Sequence, residues 1–276
     1  MPNAPAINLA NGVEIPAIGL GTSPLDDTRT EALVVAGIEA GYRLIDTAEN
    51  YRNEGGVGRA VRASGVDRDE LFITTKFNKN WHGVEEAHQA FANSAERLGL
   101  DTIDLLLIHW PNPQQDRYVD AWRGMVQLLE DGRVRSIGVS NFKPAHLDRL
   151  IDETGVTPHV NQIELDPTMP RREERAYHEA HGIVTESWSP LGAGSDLLRD
   201  PVFTEIAEAH GKTPAQIVLR WHVRLGCVVI PRTSKPARLP ENLDVFDFEL
   251  TDEDLDRIGT LDRHGEGVTD SDRFGH

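Results

Sequence analysis

Four side chains able to hold or move a proton, Asp46, Tyr51, Lys76 and His109, stand at or just past the ends of three consecutive strand-like runs. Leu44-Ile45 rises into Asp46, with Tyr51 five residues later in what should be a loop. Phe72-Ile73-Thr74-Thr75 runs into Lys76, and Leu105-Leu106-Leu107-Ile108 runs into His109. Taken alone, Asp46 could be a helix cap and Tyr51 a packing residue. Recurrence over three runs is how a parallel barrel assembles an active site, from the carboxyl ends of several strands. The chemistry would be acid catalysis at a carbonyl. A phenol with a pKa near ~10 is a poor acid at neutral pH, and a close ammonium can lower it by about one to three units. Lys76 can be that ammonium, Asp46 can hold it, and His109 can orient a carbonyl oxygen or relay a proton. Such a set protonates oxygen while something else delivers a nucleophile to carbon.

The elements that must position these groups follow from periodicity. Residues 7 to 15 alternate about Asn11-Gly12, which predicts a two-residue turn with positive φ and a hairpin that lids one end of the barrel. Residues 18 to 22 give a first strand whose glycines allow a close approach to the backbone. Strands at 43–46, 71–75, 103–108, 136–140, 160–163, 183–187 and 227–230 then alternate with helices at 27–40, 53–63, 85–98, 117–131, 144–154, 171–181 and 214–225. Glycines such as Gly41, Gly99 and Gly155 mark the helix ends. Helices at 201–210 and 252–261 stand outside the repeat. Mostly unbroken apolar runs mean strands buried on both faces, and short crossovers favour a closed parallel sheet. The expected fold is an α/β (β/α)8 TIM barrel with an N-terminal β-hairpin cap and two extra helices. No linker or shift in composition divides residues 1–276, so one domain is expected.

Composition narrows the partners. A formal charge of −17, with no long Lys or Arg cluster, argues against nucleic acid and anionic membrane surfaces. The lone Cys227 sits in an apolar run and reads as a buried, inert thiol. The start, residues 1–5, has neither the basic nor the apolar part of a signal peptide, and no apolar run of about 18 residues could span a bilayer. A cytoplasmic location is expected. His178 and His181 are three apart rather than four, so they read as a solvated helix face and no metal site is assigned.

Beyond the first cluster, the chain resembles the aldo-keto reductase family, and within it the bacterial diketogluconate-reductase-like group. The resemblance rests on Gly19-Leu20-Gly21-Thr22, Gly41 to Ala48, Lys76, Ile108-His109-Trp110-Pro111, Gly138-Val139-Ser140-Asn141-Phe142 and Val160-Asn161-Gln162-Ile163-Glu164. It continues through Ser187-Trp188-Ser189-Pro190-Leu191, Gly211 to Gln216, Ile230-Pro231-Arg232, Arg238 and Glu241-Asn242. It implies a nicotinamide-dependent reductase in which Tyr51 is the general acid, Lys76 and Asp46 tune it and His109 places the carbonyl. It implies that Ser140, Asn141 and Gln162 hold the carboxamide and that Trp188 lies under the nicotinamide ring, where the family often has tyrosine.

The Gly-x-Gly-x-x-Gly dinucleotide fingerprint is missing. Barrels often bind phosphate beyond strands seven and eight instead, where this chain offers Ser189, Leu191, Arg232, Thr233, Ser234, Lys235 and Arg238. Gly21 and Thr22 are also assigned to the cofactor side. The resemblance implies that Arg232 and Arg238 meet a ribose 2′-phosphate, with Glu241 and Asn242 near the adenine and ribose. Where the family reads Ile-Pro-Lys-Ser, this chain reads Ile-Pro-Arg-Thr, which keeps the charge but changes its geometry. NADPH is therefore the expected cofactor, with NADH as the weaker alternative.

The substrate would be a small carbonyl compound, walled by Trp81, Trp110 and loops that include Thr22, Ser23, residues 191–199 and the tail from 262 to 276. A monomer is expected. Two other readings remain open at this point: an aldolase-type barrel using Lys76 as a Schiff-base amine, and a cofactor-binding regulatory protein without turnover.

Overall fold

The computed structural model describes residues 4–276; residues 1–3, part of the start read above for a signal peptide, lie outside the described residues. Strands β1 (Ala6–Asn8) and β2 (Glu14–Pro16) form an antiparallel hairpin. It is followed by β3 (Gly19–Gly21), β4 (Leu44–Asp46), β5 (Phe72–Phe77), β6 (Ile103–Ile108), β7 (Val134–Ser140), β8 (Val160–Glu164), β9 (Val184–Trp188) and β10 (Val228–Val229). These eight pair in parallel in chain order, and a bridge between Ile18 and Val229 closes the sheet into a barrel. Strands β4, β5 and β6 are buried at every position. That is why their sequences read as continuous apolar runs: one face meets the barrel interior and the other the helices.

The helices are α1 (Asp27–Ala40), α2 (Glu54–Ala63), α3 (Val84–Leu98), α4 (Tyr118–Glu130), α5 (Pro144–Thr154), α6 (Arg172–Ala180), α7 (Pro201–His210), α8 (Pro214–Arg224), α9 (Arg238–Leu243) and α10 (Asp252–Gly259). The expected extra helices are α7 and α10. The eighth helix of the repeat, absent from the sequence reading, is α9. Its two flanking or internal prolines, Pro236 and Pro240, argue against a helix on propensity. Pro240 nevertheless falls in the first turn, where its missing N–H has no intrahelical partner to lose.

The lower barrel is filled by Leu44, Phe72, Leu105, Val160 and Val228, and Leu9 and Ile15 of the hairpin pack into the same cluster. Asn11 donates to Arg135 O at 3.0 Å, at the amino-terminal end of β7, so the hairpin closes the end opposite the strand carboxyl termini. Its turn is longer than expected. Leu9 N–H donates to Val13 O at 2.8 Å, Gly12 N–H donates to Leu9 O at 2.9 Å, and Gly12 alone takes positive φ, at 82°. Asn11 instead spends its side chain on the barrel. His178 also departs from expectation: it is fully buried, bonded to Asn161 Nδ2 and Thr185 Oγ1 at 2.9 Å each, so it belongs to the core between α6 and the sheet, while His181 is exposed. Cys227 is buried, which pushes its thiol up to about 12. No described helix is long and apolar enough to cross a membrane.

Helices α2 and α3 touch through Gly58, where an added Cβ would lie 2.0 Å from Leu98 O. Backbone cannot yield as a side chain does, so Gly58→Ala should destabilise the fold by about 1–3 kcal/mol or more. Urea unfolding measures this; an unchanged midpoint would mean that the two helices can part without cost.

Candidate active site

The register of the sheet assembles the cluster. Asp46 ends β4 level with Thr74 of β5, so Lys76 stands two residues further up β5, and His109 follows β6. Lys76 is completely buried. Its ammonium donates to Asp46 Oδ1 at 2.7 Å and Thr47 O at 2.9 Å, and it lies 5.2 Å from the centre of the Tyr51 ring. Burial alone would lower its pKa, but the Asp46 carboxylate, followed by Tyr51, outweighs burial and raises it. An amine held charged and doubly hydrogen-bonded is a poor nucleophile, which weighs against the Schiff-base reading.

Tyr51 ends a short 3₁₀ turn, Glu49–Tyr51. Its phenol is pushed up by burial; Lys76 pulls the other way but does not prevail, so the expectation of a net lowering is corrected. His109 is buried, and burial, then the Lys76 charge, holds it well below the usual histidine range, leaving a neutral imidazole. Its ring stands edge-on to Tyr51, centroids 6.0 Å apart. The loop before Tyr51 is pinned by buried Asn53, whose amide donates to Thr22 O, Leu25 O and Thr30 Oγ1 and accepts from Thr47 Oγ1.

Above this cluster lies a cavity of about 770 Å³. Asp46, Tyr51, His109 and Trp110 line it on one side, with Gly21 and Thr22, while Ser140, Asn141, Gln162, Trp188, Ser189 and Leu191 line the other. Ser140 Oγ donates to Gln162 O at 2.9 Å, and Asn141 Nδ2 donates to Ser140 Oγ and His109 O. Trp188 Nε1 donates to Asn141 Oδ1 at 2.9 Å, a bond that an indole makes in addition to offering a face. Asn141 and Ser189 hold φ of 64° and 53°, left-handed values that end β7 and β9 abruptly and turn both residues to the cavity. Gln162 Nε2 donates to Asp46 Oδ2 at 2.9 Å and to Glu186 Oε2 at 2.8 Å.

Arg232 and Arg238 also line the same cavity. Ser189 and Leu191, expected on the same side, line it as well, whereas the remaining five do not. Thr233 is buried and folds its hydroxyl onto the Lys235 backbone, Ser234 and Lys235 are exposed, Glu241 Oε1 accepts from Thr213 Oγ1 at 2.8 Å, and Asn242 is buried on the inner face of α9. Trp81 is not among the residues that line the cavity; its indole N–H donates to Glu49 Oε1 at 2.7 Å, tying two loops together.

Two residues, Glu186 and Asn50, escaped sequence reasoning, while His276 lies in the tail expected as a wall but was not singled out. Glu186 is a carboxyl in the middle of the strand Val184–Trp188, and that misfit was the available signal. Asn50 and His276 line the cavity mouth, their Nδ2 and Nε2 atoms 2.6 Å apart. The His276 ring meets the His109 ring edge-on at 4.8 Å, and no pattern in the sequence foretold it. The tail is strapped down by Lys143, which binds Asp270 and Asp272 at 2.6 and 2.5 Å, and by Lys79 Nζ, which donates to Gly275 O at 3.1 Å.

An eight-stranded parallel barrel with an ammonium, a phenol and a neutral imidazole under one long cleft is the arrangement of a carbonyl-reducing barrel enzyme. The chain belongs to the aldo/keto reductase family, whose model matches residues 17–263, and is an NAD(P)H-dependent oxidoreductase. It is 54% identical over 263 residues, 95% of each chain, to 2,5-diketo-D-gluconic acid reductase B of a Corynebacterium species. It is 47% identical over 276 residues, 100% of each chain, to methylglyoxal reductase DkgA of Escherichia coli. Among solved structures, the aldo/keto reductase from Brucella melitensis matches with a TM-score of 0.92 at 47% identity, covering 95% of this chain and 99% of that one. A Gox0644 mutant in complex with NADPH matches with a TM-score of 0.93 at 43% identity, covering 98% of both chains.

Removing one partner of a buried pair leaves the other charge uncompensated. Asp46→Ala should therefore cost about 3–5 kcal/mol of folding stability, read by chemical denaturation. A loss under about 1 kcal/mol, the range of exposed pairs, would mean that water reaches Lys76.

Proposed function

We propose that this protein reduces a small aldehyde or ketone with NADPH, with Tyr51 giving the proton to the carbonyl oxygen. The observation that carries the reading is the Lys76 ammonium fixed between the Asp46 carboxylate and the Tyr51 ring beneath the cavity. The cavity residues fit the cofactor. Arg232 and Arg238 line the cavity, exposed and with no carboxylate partner among the described residues, and Trp188 and Gln162 line it as well. Bound there, the dihydronicotinamide supplies hydride to the carbonyl carbon.

The chain's own groups do the rest. Tyr51, its pKa raised, keeps its proton through the neutral range and has one to give when the oxygen becomes basic. Lys76 then stabilises the phenolate that remains, and Asp46 keeps the ammonium from turning away. His109, being neutral, hydrogen-bonds the carbonyl oxygen without adding a charge beside Lys76. Arg232 and Arg238 make charge-assisted bonds to a ribose 2′-phosphate, which NADH lacks, so NADH serves as the weaker cofactor. Trp110, packed edge-on against Phe274 at 4.8 Å, forms an apolar wall for the substrate. The relatives' names, diketogluconic acid and methylglyoxal, favour small polar compounds with more than one carbonyl. The whole chain acts as one barrel domain, a cytoplasmic monomer. Phe274, 52% exposed, is the single large apolar side chain left on the described surface, which favours an unpartnered state.

Tyr51→Phe should lower the reductive kcat by about 10²–10⁴-fold while NADPH still binds, as followed by quenching of protein fluorescence. Near-normal turnover would remove Tyr51 from the mechanism. Arg238→Ala should weaken NADPH by about 10- to 100-fold and leave NADH nearly unchanged. Equal losses for both cofactors would move the 2′-phosphate elsewhere.

A further inference from the structure

Among the buried ionisable groups, Glu186 has no part in the chemistry above. It is fully buried on β9 and faces no Lys or Arg within ion-pair distance among the described residues. Its Oε2 accepts from Gln162 Nε2, and its Oε1 has no partner. Burial, followed by the neighbouring Asp46, raises its pKa well above the ordinary carboxyl range.

The two bonds made by Gln162 fix which way its amide points. One terminal atom reaches both Asp46 Oδ2 and Glu186 Oε2. Asp46 is committed to the Lys76 ammonium as a carboxylate and can only accept, so that atom must be the NH2 group. Both N–H bonds are then spent, and Gln162 offers the cavity only its Oε1, an acceptor. The Asp46 bond spans the lumen, since β4 and β8 lie four strands apart in a closed barrel of eight. Held by Asp46 alone, the amide would keep a free N–H and could turn about that contact. The second carboxyl removes that freedom.

We propose that Glu186 is a positioning residue that locks the Gln162 amide with its oxygen toward the cavity, so that the site selects the NH2 of the nicotinamide carboxamide. This rests on the reading above that Gln162 meets the carboxamide. The lock fixes which end of the carboxamide faces β8, and with it which face of the ring is offered to the substrate.

The test is binding of NADPH against its reduced 3-acetylpyridine analogue, in which a methyl replaces the carboxamide NH2. Both are titrated by quenching of protein fluorescence, with no turnover. Wild-type protein should prefer NADPH by about tenfold, the worth of one hydrogen bond. Glu186→Gln can still present an oxygen to Gln162 and should keep that preference. Glu186→Met should bring the ratio toward one by weakening NADPH alone. If Glu186→Met does not fold, Glu186→Asp, with its carboxyl one methylene short, should show the same loss. A wild-type ratio in whichever of these two variants folds overturns the proposal. Gln162→Ala separates the two ideas: if it binds both compounds as wild type does, the carboxamide reading itself fails, whereas a loss there with none at Glu186 defeats only the lock.

Discussion

The upper barrel is built around one expense, a lysine ammonium with no exposure to water. Removing an ion from water costs several kcal/mol even after the protein relaxes, so the charge persists only where its donors are met in good geometry. Asp46 and Thr47 O meet it from the neighbouring strand. Asp46 must then be held in turn, which Gln162 does from the opposite wall, and Glu186 holds Gln162. The lumen is thus divided: below, Leu44, Phe72, Leu105 and Val160 pack as an ordinary core, and above, polar groups are chained from wall to wall. The hairpin seals the apolar end, leaving the polar end as the route to solvent.

Two opposing effects act on the Tyr51 phenol. The ammonium favours the phenolate, but burial disfavours any charge and wins in the protein. The phenol is therefore held in its protonated form, with the Lys76 ammonium 5.2 Å from the centre of its ring. Histidine is kept neutral by burial first and the lysine charge second, so burial sets the state of both neighbours while the cation opposes it at one and reinforces it at the other. The indole bond from Trp188 to Asn141 extends this rigidity to the other wall, where a left-handed asparagine would otherwise be free to relax.

Much of this was legible in the chain because parallel strands buried on both faces leave continuous apolar runs, and the polar residues that end them stand out. Asp46, Lys76 and His109 were readable for that reason. Helices were bounded to within a residue or two by their glycines and caps. Helix α9 was not, since Pro236 and Pro240 suppress the helical signal while doing no harm in a first turn. The bond from the Trp81 indole to Glu49 was not legible, because type and nearness in sequence do not reveal which way an indole N–H will turn. Glu186 was overlooked because a carboxyl inside a strand makes sense only once Gln162 is beside it, and that neighbour comes from another strand. His276 depends on a tail whose course is set by scattered ion pairs rather than by periodicity.

The family model ends at residue 263, yet the tail beyond it brings His276 into the cavity lining as a lip, fastened by Lys143 and Lys79 and touching His109 only through a ring edge. No barrel strand runs through this lip. Its hold on the barrel rests on a few ion pairs and bonds to main-chain oxygens, so its placement over the cavity answers to residues other than those that fix the Lys76 pair below.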